Sequence, residues 1–144
     1  MLSSSRTKTG AIDSHETGYG LGLNYSSGAF SVGGALQQFR ERDGAGIKHT
    51  RTEYGLAASY DFGPAKLFSH YMASKHSIPG GAFSKWEHAN IGVSVPVSDS
   101  LTLMAEYGRN RVKARVYDDT PPNAYLGQIK GHTNYIQFGI RHTF

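Results

Sequence analysis

Seven histidines are the side chains of this 144-residue sequence best suited to bind metals or to transfer protons near neutral pH. No two of them have the His-x-x-x-His spacing that brings two ligands together, and the sequence contains no cysteine. The segment Gly18-Tyr-Gly-Leu-Gly22 lacks the spacing of a phosphate-binding loop. No serine, histidine and aspartate stand in a recognisable catalytic context. We therefore expect no metal site, no cofactor and no enzymatic activity.

The polar residues that do follow a regular spacing lie at every second position of apolar segments. In the last ten residues, apolar positions alternate with small or polar ones, and His142 is the one polar residue on the apolar side. The apolar positions that form this carboxyl-terminal signature are Ile136, Phe138, Ile140 and Phe144. Alternation over about ten residues is typical of a tilted strand that crosses a membrane as part of a β-barrel.

The same period-2 pattern predicts six earlier strands, arranged as three hairpins. The hairpins cover residues 19–37, 54–73 and 89–108. Together with the last strand they predict an all-β fold, an antiparallel transmembrane β-barrel with about seven strands in this chain. Residues 18–144 are predicted to form this barrel portion. Residues 1–17 show no alternation and are predicted to be a polar amino-terminal tail or loop.

The connections between the predicted strands alternate between short turns and long polar segments. The long segments are residues 40–52, 74–88 and 109–134. In bacterial outer-membrane barrels the short turns are periplasmic and the long loops extracellular. Most lysines and arginines fall in the long segments beside acidic residues. We therefore interpret the net charge of +4 as loop charge rather than as a surface for nucleic acid.

The phase of the strands places a second set of side chains opposite the apolar positions, where they would line a water-filled lumen. The pore-lining candidates are Asp61, Lys66, His70, Glu106, Gln137 and Arg141, with Asn24, Gln37 and Asn90 on the same face. Lys66 and Arg141 would favour the passage of anions. Asp61 and Glu106 would oppose it. The alternative is that all of these are solvated wall residues with little effect on selectivity.

The composition agrees with a barrel wall and excludes a helical membrane protein. Apolar residues make up 38% of the chain, its mean hydropathy is −0.43, and no apolar run approaches the ~18 residues of a membrane-spanning helix. The chain contains 18 glycines and nine tyrosines, which favours pleated sheet with tight turns over helix. A barrel wall, averaged over two faces of opposite polarity, has this modest hydropathy.

The strand count and the amino terminus indicate a larger barrel. Residues 1–10 contain neither the apolar core nor the cleavage site of a secretory signal. Single-chain bacterial barrels have an even number of strands, whereas seven are predicted here. We therefore expect the chain to be the C-terminal portion of a larger outer-membrane barrel.

Three segments resemble the C-terminal part of the Gram-negative general porins. They are Gly139-Ile-Arg-His-Thr-Phe144, then Tyr54-Gly-Leu-Ala-Ala-Ser-Tyr-Asp-Phe-Gly63 with Ala65-Lys-Leu-Phe68, and Gly92-Val-Ser-Val-Pro-Val97 leading to Leu103-Met-Ala-Glu-Tyr-Gly-Arg109. The resemblance implies a sixteen-stranded, water-filled barrel in the cell outer membrane, assembled as a homotrimer and surrounded by outer-membrane lipid. It also implies passive diffusion of small hydrophilic solutes and ions.

Two alternative architectures remain open. A small closed outer-membrane barrel with a structural or adhesion role would have a lumen filled by side chains and no open pore. A soluble, lipocalin-like binding barrel would have an apolar interior and a polar exterior. The interior positions predicted here are mostly Gly, Ser, Asn, Gln and charged residues, which argues against the soluble barrel.

Overall fold

The computed structural model describes residues 2–9, 12–42, 47–77, 82–117 and 125–143, with side chains placed for 16–42, 47–77, 82–115 and 127–143. These residues form one antiparallel sheet of eight strands, in which each strand pairs with the next along the chain. The strands are β1 (Leu2–Thr9), β2 (Ile12–Ser27), β3 (Phe30–Arg42), β4 (Lys48–Asp61), β5 (Lys66–Ser77), β6 (Phe83–Pro96), β7 (Leu101–Tyr117) and β8 (Tyr125–His142). The predicted all-β antiparallel fold is confirmed. No helix capable of crossing a membrane occurs among the described residues.

β1 and β8 lie at the two edges of the sheet and do not pair with each other within the described residues. β1 is short, and it pairs with β2 from Leu2 opposite Tyr19 to Thr9 opposite Ile12. In the described part of the chain, the remainder of β2 pairs with β3 alone. The N–H and C=O groups along both edges can therefore pair with further strands of a barrel wall.

Short turns join the strands at one end of the sheet. Gly28, with φ 56°, is the first central residue of the β2–β3 turn, where a positive φ matches the twist of a hairpin. Gly63, with φ 89°, lies between β4 and β5, and the N–H of Phe62 donates to the carbonyl of Ala65 (2.8 Å) across this turn. Both turns occur where the sequence predicts them.

The structure has eight strands, one more than predicted, and the predicted polar tail is wrong for the described residues 2–9 and 12–17. β1 occupies Leu2–Thr9, and β2 begins at Ile12. This part of the sheet forms through backbone hydrogen bonds, which require no particular side chain. A strand can therefore form without hydropathy alternation, as in the segment Ser3-Ser-Ser-Arg-Thr-Lys8 of β1.

The predicted long loops are wrong in extent, because the strands continue beyond their apolar segments. β3 ends at Arg42, β5 at Ser77 and β7 at Tyr117. The returning strands β4, β6 and β8 also begin within the predicted loops. Outside the apolar layer of a membrane an outward side chain faces water or headgroups and does not need to be apolar. The hydropathy signal therefore ends before the strand ends.

One face of the sheet exposes its large apolar side chains. The exposed fractions of Leu21, Phe138 and Ile140 are 70%, 79% and 72%. The apolar residues of this face, which we call the apolar band, include Leu21, Leu23, Val32, Leu36, Leu56, Leu67, Ile91, Val93, Leu103, Ile136, Phe138 and Ile140. An exposed apolar surface of this extent marks contact with lipid or with another protein.

Candidate functional site: the polar face of the sheet

The face opposite the apolar band, here called the polar face, differs between the two halves of the sheet. Directly opposite residues share a face, so the register defines one row across seven strands. This row contains Asn24, Gly33, Ala57, His70, Asn90, Gly108 and Tyr135. Its residues on β3 and β4 are small, whereas those on β5, β6 and β8 are larger and polar. The small half leaves a cavity of about 870 Å³, whose lining includes Gln37 and Lys66.

Asn90 on β6 lies at the centre of a hydrogen-bond network on the polar face and is only 8% exposed. Its Oδ1 accepts a hydrogen bond from the backbone N–H of His70 (3.1 Å), and its Nδ2 donates to Oε2 of Glu106 (2.9 Å). Oε1 of Glu106 accepts a hydrogen bond from the hydroxyl of Tyr135 (3.2 Å). Because both carboxylate oxygens have a donor, the direction of the Glu106 side chain is fixed.

His88 extends this network towards the long connections. Its Nδ1 lies 2.8 Å from Oδ1 of Asn110, within hydrogen-bonding distance. The imidazole is stacked on Trp86 (centroids 5.7 Å apart) and on Tyr135 (5.9 Å). The ring of His70 lies 4.8 Å from that of His88. These rings form one aromatic and polar patch on strands β5, β6 and β8.

Two glycines of the polar face allow neighbouring groups to approach the backbone closely. A Cβ at Gly108 would overlap the ring of Tyr135, since it would lie 2.5 Å from Cε1 of that ring and closer still to Cζ. A Cβ at Gly92 would lie 2.5 Å from the ring of Phe68 and 2.8 Å from the carbonyl oxygen of Ala105. Neither glycine has a positive φ, so the constraint at each is a close approach: an added Cβ would press on backbone at Gly92 and would force the Tyr135 ring to move at Gly108.

The charged candidates lie nearer the short turns. Asp61 is directly opposite Lys66 in the β4–β5 pair, and its Oδ1 accepts a hydrogen bond from the N–H of Gly63 (2.7 Å). Gln137 is directly opposite Glu106, and Arg141 is opposite Thr102, both in the β7–β8 pair. The polar face thus has a charged rim at the short turns and the hydrogen-bonded network above it.

The register places all six predicted pore-lining residues on the polar face. Asn90 links His70 to Glu106, and Gln137 lies beside that pair. Of the carboxyl-terminal signature, Ile136, Phe138 and Ile140 lie on the exposed apolar face of β8, and Phe144 lies outside the described residues.

Sequence reasoning did not identify four members of the network. They are Trp86, His88, Asn110 and Tyr135. Trp86, His88 and Asn110 were assigned to long loops, because apolar alternation is absent around them. The signal that could have identified them is their spacing. Trp86 and His88 lie an even number of residues from Asn90 on β6, and Asn110 lies an even number of residues from Glu106 on β7, so each side chain is on the same face as that residue.

The hydrogen bonds of the network fix the directions of its side chains, and they do not create a metal-binding arrangement among the described residues. Within the described ranges no group of three or more His, Cys, Asp or Glu side chains is placed to hold a metal ion. Asn, Tyr and His supply both donors and acceptors, and Glu106 supplies a negative charge. Such a wall can orient water and make weak, exchangeable contacts with polar solutes.

A model of the Gram-negative porin family matches residues 2–144. The chain belongs to the Gram-negative porin family. This membership places it in the outer membrane, where the apolar band of the sheet has lipid to contact. No curated protein matches the chain.

Solved outer-membrane proteins share the fold. OmpT of Vibrio cholerae, expressed in the outer membrane, superimposes with a TM-score of 0.72 at 15% identity, over 91% of this chain and 42% of that chain. The trimer form of in-vitro folded V. cholerae OmpT gives 0.68 at 16% identity, over 90% and 41%. An anion-selective porin from Comamonas acidovorans gives 0.59 at 20% identity, over 98% and 58%. The chain therefore spans less than two thirds of the length of these proteins.

Proposed function

We propose that the chain supplies part of the wall of a water-filled β-barrel, through which small hydrophilic solutes and ions cross the outer membrane by passive diffusion. The observation that carries this proposal is the hydrogen-bonded network around Asn90 and Glu106, which lies behind an exposed apolar band. A single sheet with one lipid-compatible face and one polar face is the wall that such a channel needs.

The polar face suits diffusion rather than catalysis. Passive transport needs a lumen of suitable width and charge, with no reacting group. The small residues of β2–β4 leave space, and the network on β5–β8 offers hydrogen bonds to passing solutes. We assign the pore-lining role to Asp61, Lys66, His70, Glu106, Gln137 and Arg141.

The partners that follow are outer-membrane lipid on the apolar band and small hydrophilic solutes and ions in the lumen. We further propose assembly as a homotrimer. This assembly is supported by family membership and by the trimer form of the OmpT neighbour.

Ion conductance tests the proposal. The purified 144-residue chain is refolded in detergent, and its gel mobility is compared before and after boiling to show that a compact barrel has formed. The refolded protein is then added to a planar bilayer. The proposal predicts discrete conductance steps. A heat-modifiable protein that inserts but carries no current would contradict it and would support the closed barrel with a structural or adhesion role.

A further inference from the structure

Charge is distributed unequally between the two faces of the sheet. The described acidic residues of the polar face are Glu16, Glu41, Glu53, Asp61 and Glu106. The opposite face carries most of the described lysines and arginines beyond the apolar band, towards the long connections. These cations, which we call the cationic belt, are Arg40, Arg42, Lys48, Lys75, Lys85, Arg109, Arg111, Lys113, Arg115 and Lys130.

Four lysines of the belt form one continuous row. Lys75 is directly opposite Lys85, Lys85 is opposite Lys113, and Lys113 is opposite Lys130. Neighbouring strands are about 4.8 Å apart, so each ammonium group has another within reach on the adjacent strand. Like charges directly opposite each other destabilise a sheet. Such a row is therefore unfavourable where carboxylates do not offset it, and bound anions would relieve the repulsion.

The rows on either side add further cations. Arg111 lies in the next row towards the apolar band, and Arg115 lies in the next row away from it. The ring of Phe83 has the Lys75 ammonium at 5.8 Å, that of Lys113 at 5.9 Å and the Arg115 guanidinium at 5.4 Å. The ring gathers three cations around one point but contributes no negative charge to them.

Among the described side chains of this surface, carboxylates are too few to balance the positive charge. Glu87 is the one carboxylate on this face of β5–β8 in the described ranges, and its Oε1 accepts a hydrogen bond from Lys85 (2.7 Å). This hydrogen bond from Lys85 holds the pKa of Glu87 below its usual range. Both groups lie beyond Ile91 and Val93, the residues that β6 contributes to the apolar band. The buried Nε of Arg109 makes no hydrogen bond.

The centre of the belt has a defined shape. A depression of about 340 Å³ is lined by residues of β6, β7 and β8, which include Glu87 and the cations Lys85, Arg111, Lys113 and Lys130. It lies just beyond the apolar band, and a lipid whose acyl chains cover that band would place its headgroup at this height. Clustered lysines and arginines next to a membrane-spanning surface favour anionic headgroups.

We propose that the cationic belt binds the phosphate groups of lipid headgroups in the leaflet on the side of the long connections, with the row from Lys75 to Lys130 at its centre. In the orientation expected for outer-membrane barrels this is the outer leaflet. The inference rests on the membrane embedding of the proposed function, and it does not require the pore to be open.

Titration with a phosphorylated glycolipid tests this site. The refolded full chain and the double variant Lys113→Gln/Lys130→Gln are titrated calorimetrically with bis-phosphorylated lipid A, both in dodecyl maltoside micelles. Removing two lysines is expected to weaken binding about thirtyfold, since each contributes on the order of one factor of five to six near an anionic surface. Dephosphorylated lipid A is expected not to bind measurably.

A charge-matched control separates the belt from overall charge. Lys66→Gln/Arg141→Gln also removes two positive charges, but from the polar face near the short turns. It is expected to leave lipid binding unchanged. Equal weakening in the two variants, or equal binding of dephosphorylated lipid, would overturn the proposal. Inorganic phosphate that binds as tightly as the lipid would also overturn it, because the site would then be one for free anions.

The sign of the effect on stability provides a second test. Without anionic lipid, Lys113→Gln/Lys130→Gln is expected to raise the urea midpoint of unfolding, because it removes like-charge repulsion. With lipid A the wild-type midpoint should rise above that of the variant. A variant that is less stable in both conditions would give these lysines a purely structural role. Normal lipid binding by a protein that conducts no ions would instead refute the proposed pore and leave this site in place.

Discussion

At the residue scale, the polar face depends on a few side chains whose partners are fixed. Asn90 connects the backbone of β5 to the carboxylate of Glu106, and Tyr135 reaches the same carboxylate from β8. The alternation of the strands predicts that Asn90 and Glu106 share a face. It does not predict their hydrogen bond, because that requires the register between β6 and β7.

Replacing Glu106 with glutamine should change ion selectivity and preserve the shape of the wall. We expect the ratio of cation to anion permeability to fall about two- to fivefold, because one unit charge changes the energy of an ion in an aqueous lumen by ~0.5–1 kcal/mol. The reversal potential in a salt gradient across a planar bilayer measures this ratio. The double variant Glu106→Gln/Gln137→Glu moves the charge to the directly opposite position and should restore the ratio. An unchanged ratio in Glu106→Gln would assign this residue a solvated role without influence on selectivity.

Gly108→Ala should destabilise the sheet, because the new methyl group overlaps the ring of Tyr135. Overpacking of this kind costs about 1–3 kcal/mol. The urea midpoint of unfolding of the refolded chain should fall accordingly. Gly131→Ala is the matched control, since a Cβ there would meet nothing within 4 Å. When Tyr135 is already replaced by alanine, the Gly108→Ala change should not lower the urea midpoint further. An equal loss of stability with and without the Tyr135 ring would show that this ring is not the cause.

At the element scale, the strands are longer than their hydropathy indicates. The segment Arg109-Asn-Arg-Val-Lys-Ala-Arg115 has cations at every second position, which is a strand pattern in which charge replaces apolarity on the outward face. Sequence reasoning that looks for apolar alternation assigns this segment to a loop. The register shows that each cation of the segment continues the face of Leu103.

Amide hydrogen exchange tests this extension of the strands. In the refolded chain the amides of residues 110–115 should exchange slowly, at rates comparable to those of residues 103–107, because both segments pair with β6 and β8. The amides of Asp99 and Ser100, in the turn between β6 and β7, serve as the fast-exchanging reference, since the hydrogen bonds of that turn come from the amides of Val97, Ser98 and Leu101. If residues 110–115 exchanged as fast as that turn, the extended part of β7 would not be a stable strand.

At the scale of the whole molecule, the fold could be predicted further than the site. Alternation at residues such as Leu21, Leu23, Ile136 and Phe138 identifies the lipid-facing side, because lipid imposes one chemical requirement on every outward position. The first strand could not be predicted because Leu2–Thr9 shows no hydropathy alternation, although it pairs with β2 along its whole length. The patch of Trp86, His88 and Tyr135 could not be predicted in this way, because a face in contact with water can carry side chains of many chemical types.

The same two-faced sheet explains both proposals. The apolar band faces lipid, and the polar face is the proposed lumen wall. The cationic belt lies where the outward face leaves the apolar layer. Acidic residues are therefore concentrated on the polar face. Cations are concentrated on the opposite face, at one height of the membrane. A soluble sheet would have no reason to combine these arrangements.

The central claim is that the polar face lies in water while the opposite face lies in lipid. Gln137 and Phe138 are neighbours on β8 with opposite directions, and the chain has no cysteine of its own. Gln137→Cys and Phe138→Cys variants, refolded and embedded in lipid vesicles, are treated with a charged, membrane-impermeant thiol reagent. A water-filled lumen predicts rapid labelling of Gln137→Cys and none of Phe138→Cys. Labelling of Phe138→Cys, or protection of both variants, would contradict the account.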